Sequence, residues 1–83
     1  MPLYLDTHNH IPDLTAEGIA DAHAKDLAVQ AKHGVTLYRY WFDETTGRVY
    51  CLADAPSPEA MAAVHREAHG ALADVIVEVT EGS

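Results

Sequence analysis

Two histidines stand four residues apart in the stretch VHREAHG, residues 64–70. In a helix, positions four apart lie one turn above each other, so the rings of His65 and His69 can both reach one metal ion. Imidazole is the commonest protein ligand of metals. The same spacing also suits two structural histidines at the edge of a buried stripe, which we expect to contain Val64 and Leu72. The spacing is therefore necessary for a metal site but not sufficient.

The stretch THNH, residues 7–10, places two more histidines two apart at the end of a predicted strand. If the extended conformation continues, His8 and His10 project to the same side of the chain, where Asp6 can join them. Two imidazoles with a carboxylate suit nickel, copper, zinc or cobalt, and the order of metal affinities does not by itself name the ion. The alternative is a solvated strand end without a metal.

A third candidate pair, His23 and Asp26, lies three residues apart in the segment AHAKD of a predicted helix. These side chains can contribute metal ligands, or they can form a hydrogen-bonded network at the border of the helix's apolar face. We expect His33, next to Gly34, to interact with the negative end of the helix dipole and to have no further role.

The single cysteine, Cys51, lies in the apolar run VYCLA. Apolar surroundings raise the pKa of a thiol and leave it unreactive, so we expect a packed residue and neither a nucleophile nor a metal ligand. A single cysteine also excludes an intramolecular disulfide, which fits a reducing compartment.

Acidic side chains dominate the charge, because thirteen Asp and Glu against five Lys and Arg leave a net charge of −8. Such a charge repels phosphate backbones and anionic lipids, so we expect no nucleic-acid or membrane partner. No apolar stretch is long enough to span a membrane, and the first residues lack the basic start and apolar core of a signal peptide. We therefore expect a cytoplasmic protein.

Alternation, helix caps and turn residues divide the chain into six elements. Asp13 or Thr15 can cap the first helix and Gly34 ends it, while Ser57 caps the second helix, which we expect to end at Gly70. The predicted order is a strand at 3–8, a helix to about 33, strands at 35–43 and 48–54 joined by the turn 44–47, a helix to 70 and a strand at 74–79.

The order β-α-β-β-α-β predicts an α+β fold of the ferredoxin-like type, a four-stranded antiparallel sheet with two helices on one face. Residues 1–83 then form one domain. The helices leave the other face of the sheet bare, and a chain this short buries a modest share of its surface. We therefore expect a homodimer in which two sheets pack face to face.

Which face of the sheet is bare does not follow from alternation. Strict alternation in 35–43 places two apolar sets on opposite faces: Val35, Leu37 and Trp41 on one, Tyr38, Tyr40 and Phe42 on the other. Both sets are apolar enough to require burial.

Several blocks taken together resemble a family of small bacterial proteins that includes nickel-binding members. They are HNH near the start, DAHAKDLAVQAKHGV, LYRYWFDE, GRVYCLADAPS, VHREAHG and the closing VTEGS. The resemblance covers nearly the whole chain and implies a ferredoxin-like homodimer that binds nickel near its surface, with a role in nickel sequestration or tolerance. The matched blocks contain His8, His23 and Asp26, Arg39 to Trp41, Cys51, and His65 to Gly70; the resemblance does not say which of them bind metal.

With the resemblance added, a metal pair becomes the preferred interpretation of VHREAHG. We expect a non-enzymatic, nickel-binding cytoplasmic homodimer that can accept other divalent transition metals. The candidate ligands are His65, His69, His8, His10, His23 and Asp26. The alternative is a dimeric α+β barrel enzyme of the oxygenase or isomerase type, whose pocket between sheet and helices would be lined by Tyr38, Tyr40, Trp41 and His8. A binding protein takes up metal without turnover, whereas a barrel enzyme requires an aromatic cavity larger than an ion needs.

Overall fold

A computed structural model describes residues 2–82 of the chain. The elements follow the predicted order: strand β1 (Leu3–His8), helix α1 (Ala16–Val29), a short 3-10 turn (Gln30–His33), strands β2 (Thr36–Asp43) and β3 (Arg48–Asp54), helix α2 (Pro58–Ala68) and strand β4 (Val75–Val79). Within the described residues, no helix is long and apolar enough to cross a membrane.

The four strands form one antiparallel sheet in the order β2-β3-β1-β4. Both helices cover the same face, where Asp26 of α1 and Asp6 of β1 bond the same residue of α2, His65. The predicted ferredoxin-like α+β fold is confirmed. Because β1 is central, alternate side chains of this strand point beneath the two helices.

The core lies between the sheet and the helices. Alternate residues of β1 and β3 are buried there, and α2 contributes two fully buried apolar side chains, Met61 and Val64. The buried apolar set is Tyr4, Val35, Leu37, Val49, Cys51, Ala53, Ala55, Met61 and Val64. The same layer also buries four polar side chains: Asp6, His8, Asp26 and His65.

The helix caps agree with the sequence, and the helix ends differ in detail. Thr15 caps α1 by accepting a hydrogen bond from Gly18 N at 3.0 Å, and Ser57 caps α2 through Ala60 N at 3.1 Å. The α-helical part of α1 ends at Val29, and the chain tightens into a 3-10 turn before Gly34 reverses it at φ 71°. The first predicted helix was therefore too long by one turn.

Helix α2 ends at Ala68, two residues before the expected end. The amides of His69 and Gly70 both donate to the carbonyl of His65, at 3.0 and 2.8 Å, and Gly70 adopts φ 83°. These hydrogen bonds satisfy a carbonyl group at the end of the helix that has no partner within the helix. Leu72, expected in the buried stripe, lies beyond the helix and is exposed.

A bulge in β2 changes which aromatic side chains share a face. The register with β3 shifts between Leu37 and Arg39, so Tyr38 occupies an extra position. Leu37 and Tyr40 consequently both lie on the helix side, against the core, and Trp41 lies on the opposite side. The prediction that Tyr38 shares a face with Tyr40, and Leu37 with Trp41, was wrong because strict alternation ignores a bulge.

The sheet face away from the helices is largely apolar and exposed. We call it the open face; it is formed by Leu3, Leu5, Trp41, Tyr50, Leu52 and Val77, which are neighbours in the strand register. Trp41 and Val77 are 47% and 45% exposed. The hydroxyl of Tyr38 donates to Asp54 at its edge.

Candidate metal centre

His65 lies at the centre of a buried polar cluster. Its Nδ1 is 2.9 Å from Asp26 Oδ1 and its Nε2 is 2.7 Å from Asp6 Oδ2. Because a carboxylate accepts hydrogen bonds, both ring nitrogens donate and the ring is an imidazolium. Burial opposes that charge, but the hydrogen bonds to Asp26 and Asp6 outweigh it and raise the pKa of His65 to about 12. The prediction that His65 lies at the edge of the buried stripe was wrong, since it is 1% exposed.

His69 meets His65 at a shared carboxylate oxygen. Its Nε2 is 3.1 Å from Asp26 Oδ1, and its Nδ1 accepts from Ala71 N at 3.1 Å. A ring nitrogen that accepts carries no proton, so the proton of His69 is on Nε2, the nitrogen nearer to Asp26. The two rings predicted to converge on one point do so: their centroids are 5.3 Å apart, and one nitrogen of each lies within 3.1 Å of the same oxygen. The amide proton of Ala71 fixes this tautomer.

His8 lies on the other side of the cluster. It is buried, its ring stands edge-on to that of His65 with centroids 5.4 Å apart, and its Nε2 is 3.6 Å from Asp6 Oδ1. Neither His8 Nδ1 nor Asp6 Oδ1 has a hydrogen-bond partner within residues 2–82. Burial lowers the pKa of His8, so the ring is neutral. A buried acceptor without a donor is costly and indicates a position where a ligand can bind.

Cys51 completes this side of the cluster as a thiol. It is buried in β3, and burial raises its pKa to about 11. The buried position and raised pKa agree with the expectation from its apolar setting, and the absence of a metal-ligand role stays a prediction.

Two groups of side chains bring potential ligand atoms within 4.8 Å of one another. One group is Asp6, His8, Cys51 and His65; the other is Asp26, His65 and His69. Four of the six predicted ligands therefore lie in these groups. Asp6 lies beside His8, as the sequence suggested, and it also bonds His65. Its inward position in the alternation of β1 is the signal that places it in the buried layer.

The two remaining predicted ligands are elsewhere. His10 is exposed, and its Nδ1 lies 3.1 Å from the carbonyl of Thr46, because the extended chain ends at His8. The expectation that His8 and His10 project together was therefore wrong. His23 of α1 packs its ring on Tyr40, with centroids 4.5 Å apart, and burial lowers its pKa.

His33 also behaves differently from the expectation. Its Nε2 lies 3.0 Å from Glu67 Oε1, and Lys32 Nζ lies 2.6 Å from Glu67 Oε2. These hydrogen bonds lower the pKa of Glu67. His33 thus joins the 3-10 turn to α2 at the surface, which explains it without a metal.

A cavity of about 260 Å³ opens beside the cluster, between α1 and the sheet. His8, His23, Asp26, His65 and His69 lie at one end, and the walls are mostly aliphatic: Ile11, Leu14, Ile19, Ala22 and Val49. Tyr40 is its aromatic side chain, whereas Tyr38 and Trp41 belong to the opposite side of the sheet. An aromatic cavity lined by all three was expected of a barrel enzyme, and that arrangement is not found here.

The fold and the cluster define a small ferredoxin-like protein with histidines and carboxylates gathered at metal-ligand distances. Residues 4–79 match the family of nickel responsive proteins described as SCO4226-like, and the chain belongs to that family. It is similar to the crystal structure of SCO4226 from Streptomyces coelicolor A3(2), with 36% identity and a TM-score of 0.90 over 98% of this chain and 99% of that one. A comparison with curated proteins found no match. The family resemblance seen in the sequence is confirmed.

Proposed function

We propose that the chain binds nickel through Asp26 Oδ1, His65 Nδ1 and His69 Nε2. The three atoms lie within 4.8 Å of one another, and Asp26 Oδ1 is 2.9 and 3.1 Å from the two ring nitrogens, so one ion can contact all three atoms. The observation that carries the proposal is the hydrogen bond from His65 Nε2 to Asp6. Metal-bound imidazoles usually donate their second nitrogen to a carboxylate in this way.

The charge of the cluster supports a divalent ion. Asp6 and Asp26 with a protonated His65 sum to one negative charge in a buried layer. When a divalent ion displaces the His65 proton, the two charges of the ion and those of Asp6 and Asp26 sum to zero. This neutrality lowers the cost of burying the cluster. Nitrogen and carboxylate ligands suit nickel, copper, zinc and cobalt, so other divalent metals should bind as well.

The role we propose is nickel sequestration or tolerance without catalysis, in the cytoplasm. The description of the family as nickel responsive supports this role. The net charge of −8 favours cations over nucleic acids as partners. The apolar open face supports a homodimer formed by two sheets.

An enzyme remains the second candidate because the cavity is larger than a single ion needs. A small-molecule substrate could lie against His8 and His23 there. Turnover of such a substrate by the metal-loaded protein would favour the enzyme, while stoichiometric metal uptake without turnover favours the binding protein.

Calorimetric titration of the metal-free full chain with nickel tests the site. We expect His69→Ala to weaken binding at least about tenfold, because it removes one of three ligands. Arg66→Ala is the matched control: Arg66 lies on α2, is exposed, and should leave affinity unchanged. Glu67→Ala is unsuitable, since Glu67 bonds Lys32 and His33.

His10→Ala separates the buried cluster from a surface site. His10 lies apart from both ligand groups, so this change should not alter nickel binding. Loss of binding in His10→Ala together with full binding in His69→Ala would move the site to the surface and contradict the proposal.

A further inference from the structure

The cavity beside the cluster has features that a metal site does not require. Its volume of about 260 Å³ approaches the lower end of typical small-molecule sites, about 300–1,000 Å³. Its walls are mostly aliphatic and its polar groups are gathered at one end. We propose that this cavity binds a small organic amine, with the apolar body between α1 and the sheet and the ammonium group at the polar end.

The polar end offers hydrogen-bond acceptors. His8 Nδ1 is buried and has no partner among the described residues. Asp26 Oδ1 lies 2.9 Å from His65 Nδ1 and 3.1 Å from His69 Nε2, which leaves Oδ2 for a ligand. An ammonium group has three donors to offer to such acceptors. A carboxylate has none and would leave them unpaired.

Charge points to the same class of ligand. Asp13 and Asp26 line the cavity, and none of the five Lys and Arg side chains does, all of which lie within the described residues. The charged ring of His65 is already paired with Asp26 and Asp6, so an anion would enter without a free counter-charge, at a cost that hydrogen bonds alone do not offset. A cation gains from the carboxylates and from the net charge of −8.

The size and the walls limit the body of the ligand. Ile11, Leu14, Ile19 and Val49 present apolar surface, and Ala22 of α1 leaves space where a larger side chain would project. Burial of a ring or short alkyl group against this surface supplies the hydrophobic part of the affinity. A single-ring or short-chain amine matches the volume better than a polyamine or a nucleoside.

Three probes of nearly equal size test which ligand class the metal-free full chain binds. Binding is monitored through the amide chemical shifts of the protein in NMR spectra. Benzylamine should bind saturably and shift amides of residues 8–11 and 18–26. Benzyl alcohol, which keeps a donor but lacks the charge, should bind several-fold more weakly, and benzoate at least about tenfold more weakly than benzylamine. Equal affinity for the three probes, or preference for benzoate, would overturn the proposal.

A variant that fills the cavity locates the binding. Ala22→Leu should reduce benzylamine affinity at least about tenfold by occupying the space. Ala24→Leu on the same helix is the control, because Ala24 is exposed and does not line the cavity. Benzylamine binding that survives Ala22→Leu unchanged would place the amine elsewhere. If this variant does not fold, the order of the three probes still decides the ligand class.

Discussion

At the scale of single residues, the notable feature is a charged imidazole held between two carboxylates in a buried layer. Desolvation alone would make His65 neutral, yet Asp6 and Asp26 lie at hydrogen-bond distance on either side of its ring. The pKa of His65 is raised to about 12, while burial without such partners lowers the pKa of His8. The pKa values of two buried histidines of one cluster thus move in opposite directions, that of His8 through burial and that of His65 through its two hydrogen bonds.

The raised pKa of His65 predicts how the stability of the metal-free protein depends on pH. The unfolded chain releases the His65 proton near pH 6.5 and the folded chain keeps it to about pH 12, so its stabilising contribution is complete below pH 6.5 and is lost as pH rises between these values. We expect the free energy of unfolding to fall by up to about 1.4 kcal/mol per pH unit above neutrality. Denaturant titrations at several pH values measure it.

The NMR chemical shifts of the two ring nitrogens of His65 give an independent measurement of its protonation state. Both nitrogens should be protonated in the folded metal-free protein at pH 9. A ring that is neutral at that pH, with stability independent of pH from 7 to 9, would show that the two hydrogen bonds do not hold the charge.

Nickel binding should release about one proton per ion near pH 7.5. The proton of His65 must leave, whereas that of His69 can move from Nε2 to Nδ1, which would displace the amide of Ala71. Affinity should therefore continue to rise about tenfold per pH unit above 6.5 rather than level off there. Calorimetry in buffers of different ionisation enthalpy counts the protons. A count of zero would exclude His65 as a ligand.

At the scale of elements, the end of α2 positions one ring of the cluster. The helix stops at Ala68, and His69 precedes Gly70, whose φ of 83° turns the chain so that Ala71 N can donate to His69 Nδ1. A helix that continued to Gly70 would not place this donor there. The early end of the helix and the tautomer of His69 are thus linked.

Gly70→Ala should destabilise the protein by about 1–2 kcal/mol, because an L side chain is strained in the left-handed region. A steric clash is not the cause of this destabilisation, since a Cβ at Gly70 meets nothing within 4 Å. Gly82→Ala is the matched control, with open space and no positive φ. Thermal unfolding of both variants tests this. Equal stability of the two variants would mean that the chain relaxes at Gly70, and that its turn does not fix His69.

At the scale of the whole molecule, the two faces of the sheet have different roles. One face carries the helices, the core and the polar cluster. The open face carries apolar side chains of all four strands, and contiguous apolar patches on a surface mark sites of interaction. Packing two open faces together would bury these side chains and leave both polar clusters on the outer, helical sides.

Trp41→Asp should shift the proposed homodimer toward monomer, because it buries a charge in the contact between sheets. Leu27→Asp is the matched control: Leu27 is 43% exposed on α1, against 47% for Trp41 on the open face. Sedimentation at micromolar concentration measures the outcome. If Leu27→Asp dissociates the protein and Trp41→Asp does not, the interface is on the helical side.

The sequence was sufficient to predict the fold because its signals are local. Period-2 alternation, the caps Thr15 and Ser57, and the glycines after each helix all act within a few residues. The family resemblance rested on blocks that extend along the chain, and the family match confirms it. The spacing of His65 and His69 correctly predicted that their rings converge.

Tertiary structure alone decided what surrounds those rings. His65 bonds Asp26 and Asp6, which are 39 and 59 residues away in the chain, and no local pattern contains such distances. The bulge at Tyr38 arises from pairing with β3 and reverses the faces assigned by alternation. Burial lowers the pKa of His8, and hydrogen bonds to Asp26 and Asp6 raise that of His65 against burial; both effects depend on packing of the helices on the sheet. Residue types and spacing therefore determined which groups can do chemistry, and long-range packing determined their charge, their partners and the space beside them.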